Sequence, residues 1–497
     1  MSESGSPQSM IAPAPFAAPA VAPRLQAPAE SEGGKSGGLV LLFPALALAL
    51  TTANVNLTIA VVLSLAVIVR LLWRPGQPPA LLLACGLQWL QGAMLTLEAD
   101  VRGVELWTLS YSRSLEVATY LTLAWSASVA VGAWLVTRKL ERSDVAPTMG
   151  LPIAMERLLI AYGAWTVVVA VLGQVNVGAI AQLITAIVYM RWVLLFAIFT
   201  YGWRRPGWLP VVFAVLFFEI AAGSISFFSE FRLPLYVFAI ALATVGYRPT
   251  FRVWFGFAIV FVFTVYLGTI WSAIKLDYRD RLSGGRGHRT QVVTISVEER
   301  VGAFIELVGT VDDRVLAQGA EMLARRVAYV EYFAYVIDYV PAVVDHENGA
   351  VWSAAAKHVL MPRVFFPDKS ALPDETVLTE RYTGLNLGSG GGTSISIGIP
   401  GEAYIDFGEL GVVGLGILFG VMLGLAYRYF ITQKQYFVLA QGMAVALCLA
   451  FGSVENGAVK ALGTLLTLTI VGAIGWRLIL PVLVPWLTAT RRSPNKN

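Results

Sequence analysis

Apolar runs about as long as a bilayer is thick recur along most of this chain of 497 residues. A helix rises about 1.5 Å per residue, so about 20 apolar residues cross the roughly 30 Å hydrocarbon core of a membrane. The runs between polar breaks predict about twelve membrane-spanning helices. They lie at residues 38–53, 56–72, 78–97, 113–137, 155–173, 176–200, 208–228, 233–247, 251–273, 402–427, 435–453 and 459–485.

The amino-acid composition agrees with a membrane location. Hydrophobic residues make up 57% of the chain and charged residues only 14%, and the mean hydropathy is +0.67. A soluble globular domain is about one-quarter charged. The composition therefore excludes that class and predicts an all-α, polytopic helix bundle in a lipid bilayer. The formal net charge of +4 is small and does not predict a nucleic-acid partner.

The two cysteines, Cys85 and Cys448, both lie inside apolar runs. This position favours packing roles over a disulfide or a metal site. No cluster of His and Cys has the spacing of metal ligands, and His358 is interpreted as a surface histidine. The sequence therefore predicts neither a metal centre nor a cofactor.

Lysine and arginine collect in every second connection between the predicted spans, which places those connections in the cytoplasm. The intervening connections are short and acidic or mixed. Both termini are therefore predicted to be cytoplasmic. The basic residues are Arg70, Arg74, Arg138, Lys139, Arg142, Arg204, Arg205, Arg248, Arg252, Arg428, Lys434, Arg491, Arg492 and Lys496.

This pattern divides the chain into five parts. Residues 1–37 are rich in Pro, Ala, Ser and Gly and lack the features of a cleavable signal peptide, which predicts a disordered cytoplasmic tail. Residues 38–273 hold spans 1–9, residues 401–486 hold spans 10–12, and residues 487–497 form a second tail. Between them, residues 274–400 form one large polar loop that parity places on the outer, periplasmic side. Because this loop has the most polar residues, it is predicted to carry the chemistry.

Within the loop, Val311 to Val340 is free of proline and rich in helix formers, and it predicts one helix that Pro341 closes. Arg325 and Arg326 lie in its middle. Guanidinium groups bind phosphate bidentately, so the pair is a candidate pyrophosphate site. The alternative is an ordinary helix pair, since Glu321 stands four residues before Arg325.

A second pair of cations follows a short predicted helix that ends at His358. Arg363 belongs to Met361-Pro362-Arg363 and Lys369 to Pro367-Asp368-Lys369. Proline stiffens the backbone there, and a rigid loop can hold cations toward an anion. The alternative interpretation is a solvated turn.

Three carboxylates lie where the tenth span enters the membrane. Glu402, Asp406 and Glu409 are spaced i, i+4 and i+7, which predicts one shared helix face. Carboxylates at a bilayer rim are costly unless they meet water, cations or a partner. They are predicted either to pair with the loop's arginines or to include a general base.

Two further charges fall inside predicted spans. Arg191 and Glu219 lie at matching depth in the sixth and seventh spans, which run antiparallel. An intramembrane ion pair is the cheapest way to hold such charges. The structural clamp is favoured over a transport relay.

Taken together, these features resemble the bacterial O-antigen and exopolysaccharide polymerases of the Wzy-type superfamily. The resemblance covers the architecture of most of the chain, namely about a dozen spans and one late outer loop. It is specific in sequence from about Arg325 to Gly416, through the two Pro elements and the segment GEAYIDFGELG at residues 401–411.

The resemblance implies a metal-independent, inverting membrane glycosyltransferase with a GT-C-like fold in the bacterial inner membrane. Such an enzyme moves a growing glycan from one undecaprenyl pyrophosphate carrier onto a hydroxyl of the next lipid-linked repeat unit. The cations Arg325, Arg326, Arg363 and Lys369 would stabilise the leaving pyrophosphate. Glu402, or secondly Asp406, would accept the hydroxyl proton, unless the arginines activate the leaving group enough that no base is needed. Flippase and chain-length regulator proteins are the implied partners.

Three alternatives stay open. A lipid-linked glycan ligase would use the same donor with a different acceptor. A secondary transporter would use Arg191 and Glu219 as a relay, but it predicts two related halves with broken helices, and no internal repeat is evident. A structural or sensory membrane protein would leave the loop's Arg and Pro elements without a purpose.

Overall fold

In the computed structural model the chain forms two units, Met1–Ala45 and Leu46–Asn497, and all the helices named below belong to the second. The structure describes residues 42–74, 76–141, 144–145, 152–172, 181–224, 231–245, 251–284, 295–361, 366, 368–369, 374–388, 395–436 and 438–488. The predicted tails and part of the first predicted span lie outside these ranges.

Eighteen α-helices are described in this unit, and it has no strand within the described ranges. They are α1 Val55–Leu72, α2 Ala80–Arg102, α3 Leu115–Thr137, α4 Met155–Leu172, α5 Ala181–Tyr189, α6 Arg191–Trp203, α7 Leu209–Ser224, α8 Arg232–Thr244, α9 Phe251–Leu282, α10 Val297–Gly309, α11 Asp313–Val327, α12 Glu331–Tyr339, α13 Ala350–Leu360, α14 Glu375–Thr383, α15 Ile399–Ile431, α16 Val438–Leu449, α17 Ala458–Leu478 and α18 Leu480–Thr488. The all-α prediction is confirmed.

Eight helical segments among the described residues are long and apolar enough to cross a membrane. They are Val55–Leu72, Ala80–Arg102, Leu115–Thr137, Met155–Leu172, Gln182–Trp203, Pro206–Ser224, Ile399–Ile431 and Ala458–Leu478. The predicted count of about twelve is therefore not reached. The eighth and eleventh predicted spans correspond to α8 and α16, with 13 and 12 residues, and about 20 Å of helix is too short to cross the core. The ninth falls on α9, whose first eleven side chains lie outside the described part.

The centre of the bundle is a close contact between α3 and α15, which run in the same direction. A Cβ atom at Gly420 would lie 2.9 Å from the Cα of Val129, and one at Gly132 would lie 2.8 Å from the backbone nitrogen of Val421. Glycine at Gly416, Gly420 and Gly424 thus lets the two backbones approach. This is the small-xxx-small pattern of packed membrane helices.

The two ends of this helix pair have different neighbours. Just before α3 begins, Ser110 and Ser112 donate hydrogen bonds to Glu331 (3.0 Å) and Asp338 (2.6 Å) of α12. We call this the loop end. Where α3 finishes, Arg74 donates to the carbonyl of Thr137, and we call this the arginine end. The large predicted loop therefore packs against the connection at residues 103–114, which the charge pattern assigns to the same side.

The large loop is more broken than its sequence predicts. The single helix expected from Val311 to Val340 is wrong, because the chain leaves the helix at Ala328 (ψ 89°) and forms α11 and α12 instead. The break lets Tyr329 donate a hydrogen bond to the carbonyl of Ser396. Pro341 does follow the end of α12 as predicted, and the short helix expected near His358 is confirmed as α13.

α15 is not one continuous helix. Phe407 (φ −138°, ψ 15°) and Gly408 (φ +63°, ψ −150°) leave the helical conformation, and glycine permits the positive φ at Gly408. The prediction that three carboxylates share one face is therefore wrong for Glu409, which follows the break and is exposed. Glu402 and Asp406 lie in the first half and are 6% and 0% exposed.

Candidate functional site

Asp406 closes the N-terminus of a neighbouring helix. Its two carboxylate oxygens accept hydrogen bonds from the backbone N–H groups of Val351 (3.0 Å) and Trp352 (2.8 Å) in the first turn of α13. The N-cap residue of that helix is Gly349, which has no side chain to satisfy these donors. Asp406 therefore supplies from α15 the cap that the local sequence lacks.

Glu402, one turn earlier, does the same for α17. Its Oε2 accepts a hydrogen bond from the backbone N–H of Ala458 (2.7 Å). The N-cap is again glycine, and a Cβ atom at Gly457 would collide with Oε1 of Glu402. Neither carboxylate pairs with an arginine among the described residues, and Arg363, one of the loop's arginines, lies outside them. Backbone N–H groups at helix N-termini provide the partial positive charge instead.

A second carboxylate stands beside Glu402. The position of a Cβ atom at Gly457 lies 3.4 Å from Oε1 of Glu375, a residue in the first turn of α14. Glu375 and Glu402 therefore share one environment at the start of α17. Carboxylates can accept a proton from a hydroxyl group, so this pair is the acid–base part of the site.

The turn before α17 adds a third carboxylate, Glu455, and α2 fixes its position. The side-chain amide of Gln91 donates to Oε1 of Glu455 (2.9 Å), and its oxygen accepts from the backbone N–H of Val454 (2.7 Å). Gln88 donates to the carbonyl of Phe451 (2.7 Å). Both glutamines are buried, so this turn is held rigidly at the loop end.

Three cations gather next to this turn. α11 packs tightly on α9, since a Cβ atom at Gly319 would lie 2.5 Å from the carbonyl oxygen of Thr269. This packing brings Arg326 within electrostatic range of Lys275 and Arg279. Among the described residues, neither Lys275 nor Arg326 has a carboxylate within 4 Å. The packing of α11 against α9 therefore holds three positive charges close together, although they repel one another.

The crowding of these cations affects the pKa of Lys275. Burial, followed by the charges of Arg326 and Arg279, lowers the pKa of Lys275 to about 8, and Glu455 opposes that shift. An anion bound there would relieve the repulsion and restore the ordinary lysine pKa. Beside it, burial and then the negative charge of Glu455 raise the pKa of the Tyr329 hydroxyl. The cations and the carboxylates are thus electrically coupled.

We call this group the outer polar site. It consists of Lys275, Arg279, Arg326, Tyr329, Glu375, Glu402 and Glu455. The cations act electrostatically on Glu455, in the turn before α17, and Glu402 caps the first turn of that helix. Such a site can bind an anionic group and, next to it, accept a proton from a hydroxyl group.

The other predicted cations have different surroundings. Arg325 forms the ordinary helix pair, with its Nε 3.5 Å from Oε1 of Glu321, and both side chains are about half exposed (52% and 50%). The Nζ of Lys369 donates to the carbonyl of Met361 (2.8 Å) and to that of His358, so it caps the C-terminal end of α13. Arg363 lies outside the described residues.

The predicted intramembrane pair lies away from this site, among α4, α6 and α7. The Glu219 carboxylate is buried and accepts a hydrogen bond from the hydroxyl of Tyr162. The guanidinium of Arg191 lies 4.2 Å from the ring centre of Trp192 and within electrostatic range of Tyr162. Tyr162 thus joins the two charges into one group, a link that sequence spacing did not reveal.

Comparison of the chain with models of protein families, with curated proteins and with solved structures finds no match. The site is therefore interpreted from its own geometry.

Sequence reasoning found Arg326 and Glu402 but missed most of the outer polar site. Lys275 and Arg279 were counted only as the start of the loop, although their i, i+4 spacing places them on one helix face. Glu375 and Glu455 have no local motif. The two glycine N-caps, Gly349 and Gly457, carried a usable signal, since a helix that starts on glycine needs a partner from elsewhere for its first N–H groups.

Proposed function

We propose that this chain is a bacterial inner-membrane glycosyltransferase that polymerises lipid-linked oligosaccharide repeat units into O-antigen or exopolysaccharide. The donor would be a glycan on an undecaprenyl pyrophosphate carrier, and the acceptor would be a hydroxyl of the next lipid-linked unit. Both termini would be cytoplasmic, and the loop end would face the periplasm. The single observation that supports this proposal most is the clustering of Lys275, Arg279 and Arg326 close to Glu455, in the turn that leads into the helix capped by Glu402.

The cations answer the main electrostatic need of such a reaction. When the bond between the sugar's anomeric carbon and the pyrophosphate oxygen breaks, the departing pyrophosphate takes the electron pair and gains negative charge. Preorganised cations stabilise that charge because the protein need not reorganise during the reaction. We assign this role to Arg326 with Lys275 and Arg279. Arg363 keeps its role as a further pyrophosphate ligand by resemblance alone.

The carboxylates can accept the proton of the acceptor hydroxyl. As its oxygen forms the new bond to the anomeric carbon, the hydroxyl proton must be accepted, and no metal ion is needed for that step. We assign this role to Glu402, whose Oε1 lies next to Glu375, and not to Asp406, because both oxygens of Asp406 accept backbone N–H groups. Arg325 and Lys369 are assigned stabilising roles, since each has a local structural partner.

A gene deletion with gel analysis of surface or secreted polysaccharide tests the proposal. Loss of long polymer, with single repeat units still present, is expected. Polymer of normal length in the deletion strain would end the proposal. If the deletion strain instead makes full-length polymer that stays on the lipid carrier and is not transferred to its final acceptor, the protein is a lipid-linked glycan ligase.

Complementation then tests the residues. Glu402→Gln and Arg363→Ala are expected to be present in the membrane at wild-type levels without restoring polymer. Glu409→Gln serves as the matched control, because this exposed carboxylate lies on the same helix beyond its break. Full rescue by Glu402→Gln would remove the general base from the mechanism, although the cationic site would remain.

A further inference from the structure

A groove lies at the break in α15, next to Asp406. The groove has a volume of about 560 Å³. Its lining residues are His346, Asn348, Asp406, Phe407, Leu410, Gly411, Gly414 and Leu415. It lies outside the outer polar site, with which it shares no residue.

The apolar end of the groove, at Leu410, Gly414 and Leu415, continues the exposed apolar surface of α15. Leu410 is 85% exposed, and Val413 and Leu418 are also exposed on this helix, which is apolar and long enough to span a membrane. Around Gly414 a Cβ atom would meet nothing within 4 Å. A groove that opens sideways onto a lipid-facing surface is filled by hydrocarbon, because water there would leave its hydrogen bonds unmade.

The end of the groove near His346 is polar. The Nδ1 of His346 lies 3.2 Å from the carbonyl oxygen of Ile405, and its ring packs edge-on against Tyr404. A carbonyl only accepts hydrogen bonds, so Nδ1 carries a proton, and in the imidazole form of such a ring Nε2 is the acceptor. Nε2 lies 3.5 Å from the position of a Cβ atom at Gly408, which places it at the break itself.

The remaining polar groups of the groove also accept. Asn348 uses its side-chain nitrogen to donate to the carbonyl of His346 (3.0 Å), which leaves its oxygen available. Asp406 adds negative charge beside the groove, with both of its oxygens already accepting backbone N–H groups. Neither Lys nor Arg is among the groove's lining residues within the described part of the chain. A headgroup that donates hydrogen bonds therefore fits here, and a phosphate does not.

We propose that this groove binds one membrane lipid with an uncharged, hydroxyl-bearing headgroup. Its hydrocarbon chain lies along Leu410, Gly414 and Leu415, and a headgroup hydroxyl donates to Nε2 of His346. The site is separate from the cationic outer polar site, and it stands whether or not the proposed glycosyltransferase reaction is correct.

Photolabelling of the purified full-length chain tests the proposal. The chain is placed in nanodiscs of phosphatidylethanolamine and phosphatidylglycerol with one of two probes. One probe is an alkyl glucoside, the other is a lysophosphatidic acid, and both carry the same diazirine-bearing chain. The glucoside is expected to label the peptide at residues 407–415 about five- to tenfold more than the phosphate probe, the effect of one or two hydrogen bonds. Equal or stronger labelling by the phosphate probe overturns the proposal.

Two variants separate chain and headgroup recognition. Gly414→Leu places a side chain in the open groove and is expected to reduce glucoside labelling about tenfold. Gly163→Leu on α4 is the matched control, because this exposed glycine also has nothing within 4 Å of its Cβ position. Undiminished labelling in Gly414→Leu would show that the lipid lies elsewhere.

His346→Phe retains a ring against Tyr404 but removes the acceptor. It is expected to abolish the preference for glucoside over phosphate, while labelling by the phosphate probe stays unchanged. A merely structural defect would instead lower labelling by both probes together, and a retained preference would exclude His346 as the headgroup ligand.

Discussion

The charged residues at the two ends of the bundle do different work. At the arginine end, Arg74 and Arg428 donate to the carbonyls of Thr137 and Val136, the last residues of α3. At the loop end, Glu402 and Asp406 accept from the first N–H groups of α17 and α13. Cations thus meet helix C-termini and carboxylates meet helix N-termini, as the helix dipole favours.

Lys275, Arg279 and Arg326 show a feature that this rule does not explain. Arg279 and Arg326 lie in the last turns of α9 and α11, where the helix dipole favours a cation, but the packing of these helices brings both within electrostatic range of each other and of Lys275. The comparison teaches that the helix dipole accounts for where most of these charges lie, whereas it does not account for three cations in one place. A site that is unfavourable when empty is a reasonable place for an anionic ligand.

The largest expected effect comes from neighbouring arginines at the loop end. Arg326→Ala is expected to lower polymer formed per molecule of protein about a hundredfold, the usual cost of removing one preorganised donor. Arg325→Ala is the control and is expected to change little, because its exposed pair with Glu321 is worth a few tenths of a kcal/mol. Polymer is measured on gels and protein by immunoblot of membranes. Similar defects in both variants would erase the proposed difference between the two arginines.

A smaller effect is expected from the buried helix cap at the loop end. Asp406→Asn retains one acceptor oxygen but presents an N–H₂ group to a backbone donor, and it is expected to lower the free energy of unfolding by about 1–3 kcal/mol. Glu409→Gln, exposed beyond the break, is expected to have no measurable effect. Thermal unfolding of the purified proteins in detergent measures both. If Asp406→Asn is as stable as the wild type, the capping role is wrong.

The corresponding change at the arginine end is expected to be milder. Arg428→Ala removes a 3.0 Å hydrogen bond to the carbonyl of Val136, and since the arginine is exposed, the loss is expected to be about 0.5–1.5 kcal/mol. Polymer formed per molecule is expected to stay at the wild-type level. Arg477→Ala, an exposed arginine in the last turn of α17, is the control for lost charge. A catalytic defect in Arg428→Ala would contradict the division between the two ends.

A further expected effect is a dependence of stability on pH. The pKa of Lys275 is lowered to about 8 in the folded protein from 10.5. Between these values the unfolded chain binds more protons, so this lysine makes stability rise as the pH increases from about 8 toward 10.5. Below pH 8 its full unfavourable contribution is present. Melting temperature is measured against pH. Lys275→Met is expected to abolish the rise in stability between pH 8 and 10.5, and Lys460→Met, at an exposed lysine of α17, is the control that is expected to retain it.

Added inorganic pyrophosphate sharpens the same measurement. An anion at the cationic cluster stabilises the charged lysine, so pyrophosphate is expected to raise the melting temperature of the wild type more at pH 7 than at pH 9. Lys275→Arg, which stays charged, is expected to lose that difference. Stabilisation of equal size in Lys275→Met would place the bound anion elsewhere.

Several parts of the fold follow from sequence because they depend on local physics. Long apolar runs such as Leu115–Thr137 predict helices, and Pro341 predicts the end of α12. Spacing alone also predicted the partner of Arg325, since Glu321 lies one turn away. The break at Phe407–Gly408 was not predicted, because a glycine inside an apolar run is common in membrane helices and its φ angle depends on what packs around it.

By itself, the sequence determined the all-α class, the membrane-type composition and the approximate positions of the long helices. These depend on hydropathy and helix propensity, which act over a few turns. Only the tertiary structure decided which charges are caps and which form a site. Glu375, Glu402 and Glu455 are far apart in sequence, as are Lys275 and Arg326, and their proximity depends on how α9, α11, α14, α15 and the turn before α17 pack together.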